Sequence, residues 1–116
     1  MSAPNLATRL VFEPVRTLGE ADIGVDYAAV GTPLANAARQ FFIQNLTDVT
    51  LMFSFDGVND HFPLPTNGFI LDDVCSNTTI PSGAFYLGKG TTLYVKEVGT
   101  PSTGSVYFSV MYGYDV

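Results

Sequence analysis

Residues 49–55 read Val-Thr-Leu-Met-Phe-Ser-Phe, with Val, Leu, Phe and Phe at the odd positions and Thr, Met and Ser at the even ones. Successive side chains of a β-strand point to opposite faces, so the four odd positions share one face. This period of two predicts a half-buried strand. Asp56-Gly57 follows directly and is a turn pair that would end the strand.

Similar runs follow one another along the whole chain. The 11 Gly and 7 Pro residues separate segments rich in Val, Ile, Phe, Tyr and Thr, the residues that favour strands. We predict strands over 8–17, 24–34, 39–46, 49–55, 69–74, 84–87, 91–98 and 105–114, and one helical turn around 36–39. With 116 residues, the chain fits a single all-β domain over 1–116, an antiparallel β-sandwich of jelly-roll type. Residues 1–7 are expected to form a flexible N-terminal arm that adds to a neighbouring subunit.

Composition excludes several classes of protein. Five Lys and Arg against 11 Asp and Glu give a net charge of −6, and the five cations are scattered. Nucleic acids and anionic membranes both require clustered cations, so we expect neither as a partner. Charged residues make up only 14%, which leaves much neutral surface and favours a protein that is partly covered by others. One cysteine, no signal-peptide pattern and no long apolar stretch predict folding in a reducing cytoplasm.

Chemistry-bearing residues are present but form no catalytic pattern. Asp56, Asp60, Asp72 and Asp73 lie close in sequence, but their spacing does not match a calcium-binding loop, and whether they hold an ion stays open. His61 is the only histidine, and no Gly-x-Ser-x-Gly motif accompanies it. The sequence therefore predicts no enzyme and no bound cofactor, and it identifies no residue as a metal ligand.

Interface candidates come from the aromatic and the cationic residues. Neutral, Tyr-rich outer faces are typical of protein interfaces, and the late strands supply four candidates: Tyr94, Tyr107, Tyr112 and Tyr114. Arg9 and Arg16 could anchor an acidic partner, because Arg forms bidentate pairs with carboxylates; alternatively both lie in solvent.

A carbohydrate-binding module is an alternative of another class. It would stack sugars on Tyr94, Tyr107 and Tyr112 beside Asp115. The absence of Trp argues against it.

Six segments carry a resemblance to a known group of proteins. They are Ile-Gln-Asn-Leu-Thr-Asp (43–48), Ser-Phe-Asp-Gly (54–57), Phe-Pro-Leu-Pro (62–65), Asp-Asp-Val-Cys-Ser-Asn (72–77), Lys-Gly-Thr-Thr-Leu-Tyr-Val-Lys (89–96) and Pro-Ser-Thr-Gly-Ser-Val-Tyr (101–107). Through them the segment from 42 to 113 resembles small virion proteins of tailed bacteriophages. The first forty residues do not contribute.

The resemblance implies a β-sandwich component of the virion. We expect a structural protein that cements or decorates the capsid by bridging major-capsid subunits, as a homo-oligomer in the particle. The alternative within the same context is a head–tail connector, a collar or a tail ring.

Overall fold

A computed structural model describes residues 8–73 and 87–115. Within these ranges the chain forms nine strands and one 3-10 turn. The strands are β1 (Thr8–Phe12), β2 (Arg16–Gly19), β3 (Ala28–Ala29), β4 (Ala38–Asn45), β5 (Leu51–Ser54), β6 (Phe62–Leu64), β7 (Phe69–Asp73), β8 (Tyr94–Glu97) and β9 (Ser105–Asp115). The 3-10 turn covers Glu20–Asp22. In the described ranges no helix has the length and apolar character needed to cross a membrane.

The strands form two antiparallel sheets with the connectivity of a jelly roll. The front sheet has the order β1-β9-β4-β7, with β2 also paired to β9, and the back sheet has the order β3-β8-β5-β6. When β1 and β2 are taken as one interrupted strand, the pairs are nested: first with last, β3 with β8, β4 with β7 and β5 with β6. This nesting defines the jelly roll, so the predicted fold is confirmed.

The core lies between the sheets and follows the alternation read from the sequence. Leu51 and Phe53 of β5 are fully buried, whereas Met52 between them is half-buried. From the front sheet, Ile43 of β4 and Phe108 of β9 are also fully buried. The two inner faces therefore interdigitate as expected for a sandwich.

The predicted strand over 8–17 is divided in two. Phe12 pairs with Met111 and Arg16 pairs with Phe108, so three residues (13–15) lie opposite two (109–110). This is a β-bulge, and Pro14 at its centre has no N–H to donate to the sheet.

Other boundaries also differ from the sequence-based ones. Only Ala28–Ala29 of the predicted strand 24–34 pairs as a strand, although Val30 and Leu34 still donate backbone hydrogen bonds to Leu93 (2.7 Å) and Thr91 (2.8 Å). The helical turn predicted at 36–39 is wrong, because Ala38 is fully buried and begins β4.

Two further differences concern short segments. The edge strand β6 was not predicted, because Pro63 at its centre has no N–H to donate and argues against a strand in the sequence. The predicted strand 84–87 lies outside the described residues except for Leu87, which bridges to Ala38, and the predicted arm over 1–7 lies outside them entirely.

Candidate functional site

The outer face of the front sheet carries a diagonal line of large apolar side chains. Met111 lies opposite Phe12, and Phe42 lies opposite Leu71. The Phe42 ring also meets the Phe69 ring edge-on, with centroids 5.7 Å apart. Phe12, Phe69 and Leu71 are 64%, 61% and 68% exposed. We call these five residues the apolar strip. A shallow groove of about 100 Å³ is lined by four of them, all but Phe69.

Neutral polar groups surround the apolar strip. The register places Gln40, Gln44, Tyr107 and Ser109 on the same face. Among the described residues that the register assigns to this face, the charged ones are Asp73 at the end of β7 and Asp115 at the end of β9. Asp73 accepts a hydrogen bond from Gln40 Nε2 (3.3 Å). A charge-poor apolar centre with a rim of hydrogen-bonding groups is the arrangement of a protein–protein interface.

The predicted tyrosines do not lie on one surface. Tyr107 belongs to the outer face of the front sheet, whereas Tyr94 lies on the outer face of the back sheet, between the buried Leu93 and Val95. Tyr112 has the same parity along β9 as the buried Val110, which turns it towards the inner side opposite Ala38. The carbohydrate-binding hypothesis needs these rings on one exposed face, and the structure does not bring them together. The side chains of Tyr114 and Asp115 lie outside the description.

Arg16 is neither an anchor for a partner nor a solvent-exposed residue. It is only 8% exposed, and its Nη2 lies 2.7 Å from Oε1 of Glu13. Its Nε and Nη2 donate to the carbonyl oxygens of Thr32 (2.7 Å) and Pro33 (3.1 Å). Both expectations for Arg16 are therefore corrected: the strand register at the bulge directs the guanidinium inwards. The side chain of Arg9 lies outside the description.

Glu13 completes a buried polar cluster with Arg16. Glu13 is only 6% exposed. Its carboxylate accepts hydrogen bonds from Arg16 Nη2, from Asn36 Nδ2 (3.0 Å) and from the backbone N–H groups of Asn36 (2.9 Å) and Ala35 (3.3 Å). Burial acts to raise the pKa of Glu13, but the hydrogen bonds from Arg16, Asn36 and Ala35 outweigh it and lower that pKa. The cluster thus joins the bulge to the 32–36 segment.

We expect Glu13→Gln to reduce the free energy of unfolding by about 2 kcal/mol at pH 7, because Arg16 would lose its buried counter-charge. The folded-state pKa of Glu13 is lowered, so the stabilisation is present above the unfolded pKa near 4.5 and is lost as the pH falls through the lower folded pKa. Urea unfolding of both proteins between pH 7 and pH 3 should show the difference shrinking on acidification. Glu97→Gln, at a half-exposed position of β8, is the control; a pH-independent difference would contradict the assignment.

The aspartates singled out in the sequence are divided between two places. Asp72 and Asp73 lie in β7 of the front sheet, whereas Asp56 and Asp60 lie in the loop between β5 and β6. Hydrogen bonds from the backbone and side chain of Asn59 keep the pKa of Asp56 well below its usual range. In the described part of the chain, no group of three or more His, Cys, Asp or Glu side chains is placed to hold a metal ion.

The loop that carries Asp56 and Asp60 is closed by internal contacts. Asp60 accepts from the Tyr27 hydroxyl (2.6 Å) and lies 2.9 Å from Lys96 Nζ, which also sits 4.7 Å from the centre of the Tyr27 ring. His61 Nδ1 accepts from the Phe55 amide (3.0 Å). Asp60 and His61 therefore have structural roles in this loop, as partners of Tyr27, Lys96 and the Phe55 amide.

Comparison with known proteins gives a likeness of fold only. No family model and no curated protein matches the chain. A solved structure described under "Bacillus endospore appendages form a novel family of disulfide-linked pili" matches with a TM-score of 0.50 and 11% identity, over 98% of this chain and 96% of that one. The likeness agrees with the two-sheet architecture.

The apolar strip is the feature that sequence reasoning missed. Its signal was present, because residues 41–43 (Phe-Phe-Ile) and 69–71 (Phe-Ile-Leu) are apolar at consecutive positions. A strand with apolar side chains on both faces buries one face in the core and offers the other to something else.

Proposed function

We propose that the protein is a structural virion protein of a tailed bacteriophage that decorates or cements the capsid by bridging major-capsid subunits. The observation that carries the proposal is the apolar strip, a charge-poor surface on a rigid sheet. Contiguous apolar patches of this kind are uncommon on proteins that stay alone in solution. A subunit repeated many times in a particle needs only modest energy at each contact, which suits such a surface.

Two further observations support a structural role. The segment from 42 to 113 resembles small virion proteins of tailed phages, as set out above. The similar fold found by comparison belongs to a protein of disulfide-linked pili, so a fold of this type also serves in an assembled structure. A head–tail connector, a collar or a tail ring is the alternative place for the same surface.

The test is to locate the protein in particles. Virions from a host that carries this gene would be purified on a density gradient, analysed by mass spectrometry and labelled with gold-conjugated antibody for electron microscopy. Label distributed over the head is the expected result. Label confined to one vertex would replace decoration by the connector or tail alternative, and absence of the protein from purified particles would contradict both.

A further inference from the structure

We infer that the apolar strip is covered by a second copy of this chain, so that two front sheets pack face to face around a two-fold axis. The inference rests on the proposed function in one respect, because it takes the outer face of the front sheet to be an assembly surface. It assigns this face to the contact between two copies of the chain, so the contacts with major-capsid subunits in the proposed function would be made by other surfaces of the dimer.

Charge favours a second copy over a charged partner. Asp73 at the end of β7 and Asp115 at the end of β9 are the charged residues that the register places on this face within the described ranges. An acidic partner would meet no cation at these register positions. A basic partner would meet acidic residues only where these two strands end, and Asp73 already accepts from Gln40. Two copies of the face, in contrast, bring apolar surface against apolar surface without burying a pair of opposite charges.

The polar rim is complementary to itself. Gln40, Gln44, Ser109 and Tyr107 all carry groups that both donate and accept hydrogen bonds. In a two-fold interface the same patch meets itself, so a rim residue of one copy contacts a residue of the same patch in the other copy. Groups that both donate and accept can pair in any such combination. Amide and hydroxyl groups satisfy one another in this arrangement, whereas carboxylates or ammonium groups would not.

The size of the face lies within the range of specific interfaces. The strands of the front sheet have 5, 4, 11, 8 and 5 residues, which is 33 in all. At the usual strand spacing of about 4.8 Å and a rise of about 3.3 Å per residue they cover roughly 520 Å², so two faces bury about 1,000 Å² in total, the lower end for a specific interface. Two sheets packed in this way lie about 10 Å apart, the distance found between the layers of a sandwich.

The first measurement is the mass of the purified full chain by light scattering over a concentration range. The expected result is a rise from 12.5 kDa towards twice that mass and no further, because a two-fold interface closes at two copies. A chain that stays monomeric at all concentrations up to about 1 mM overturns the inference. A dimer with a Kd of about 1 mM would have an association free energy of only about 4 kcal/mol. A larger ring or an open polymer overturns it as well.

Variants on and off the strip locate the contact. Phe12→Ser and Leu71→Asn remove large exposed side chains from the strip, and each should weaken the dimer by about tenfold or more. Val25→Ser and Val58→Asn are matched controls, since these side chains are 74% and 78% exposed and lie elsewhere. Circular dichroism confirms that each variant is folded. A dimer that the controls weaken as much as the strip variants do would refute the assignment of the surface.

Salt dependence separates self-association from charged contacts. Each copy carries a net charge of −6, so the two repel at long range and added salt should screen that repulsion. Raising salt from about 0.05 M to about 0.5 M should therefore lower Kd severalfold, and a rise in Kd would overturn the inference. A monomer that is nevertheless found in purified particles would refute the second copy alone, whereas a dimer absent from particles would refute only the proposed function.

Discussion

Gly104→Ala is expected to lower the free energy of unfolding by about 4 kcal/mol or more, a large part of the stability of a domain of this size. A Cβ atom at this position would lie 2.0 Å from the carbonyl oxygen of Leu46 and 2.7 Å from Cα of Thr47. Both are backbone atoms, so no side-chain rotation relieves the overlap. Gly104 also has a φ of +93°, where an L side chain is strained.

The surroundings of Gly104 prevent the two segments from separating. Asp48 accepts from the Ser102 amide (2.9 Å) and from the Ser102 hydroxyl, and Leu46 donates to the carbonyl of Ser105 (3.0 Å). These bonds hold the loop before β9 against the turn after β4 on both sides of the close approach. Relief of the overlap would require breaking them, which is why the expected loss exceeds that of an ordinary glycine substitution.

Two other glycines separate the contributions to this loss. Gly90 has a φ of +90° but nothing within 4 Å of an added Cβ, so Gly90→Ala measures the backbone strain alone, about 1 kcal/mol. Gly24→Ala has open space and no positive φ, and should change stability little. Urea unfolding of the three variants at equal temperature and pH gives the comparison. A Gly104→Ala loss no larger than that of Gly90→Ala would show that the close approach is not maintained in solution.

The fold was largely predictable because several strands bury one face only. Residues 49–55 and 105–114 alternate between apolar and more polar positions, and the structure buries Leu51, Phe53, Val106 and Phe108 on the apolar faces. The bulge at 13–15 and the short strand at 28–29 were not predictable in the same way. Their boundaries depend on which residues of β9 and β8 lie opposite, and that register belongs to the tertiary structure and not to the local sequence.

The candidate surface was only partly predictable. The low content of charged residues correctly indicated a neutral surface. The tyrosines chosen from the sequence as interface residues, however, lie on different sheets. Alternation alone distinguishes the faces of one strand, not the layer to which the strand belongs. The strip became visible once Phe42 of β4 was placed beside Leu71 of β7, a pairing of residues far apart in the chain. Arg16 shows the same limit, because the bulge at 13–15, which contains its buried partner Glu13, reverses the orientation that regular alternation from Phe12 would give.

The side chain of Asn45 joins several segments of the chain through hydrogen bonds. It is fully buried at the end of β4, and its Nδ2 donates towards the carbonyl oxygens of Val49 (2.9 Å), Leu64 (2.9 Å) and Pro65 (3.2 Å). Its Oδ1 accepts from the amide (3.0 Å) and the hydroxyl (2.6 Å) of Thr47. One side-chain amide thus joins the end of β4 to the segment before β5 and to the end of β6. Asn45-Leu46-Thr47 is also a glycosylation triplet in form, but this side chain is engaged inside the fold.

We expect Asn45→Ala to lower the free energy of unfolding by about 3–5 kcal/mol, because it leaves buried carbonyl and amide groups without partners. Gln44→Ala, at the neighbouring position on the outer face, is the matched control and should cost less than about 1 kcal/mol. Asn45→Asp is more specific, since it keeps an acceptor for Thr47 but turns a carboxylate towards carbonyl oxygens. Burial beside these dipoles should raise the pKa of the introduced carboxyl, so the Asn45→Asp protein should gain stability relative to the wild type as the pH falls. Urea unfolding at pH 7 and pH 4.5 measures both effects; equal losses at the two pH values would mean that water reaches the site and that Asn45 is not the buried junction described here.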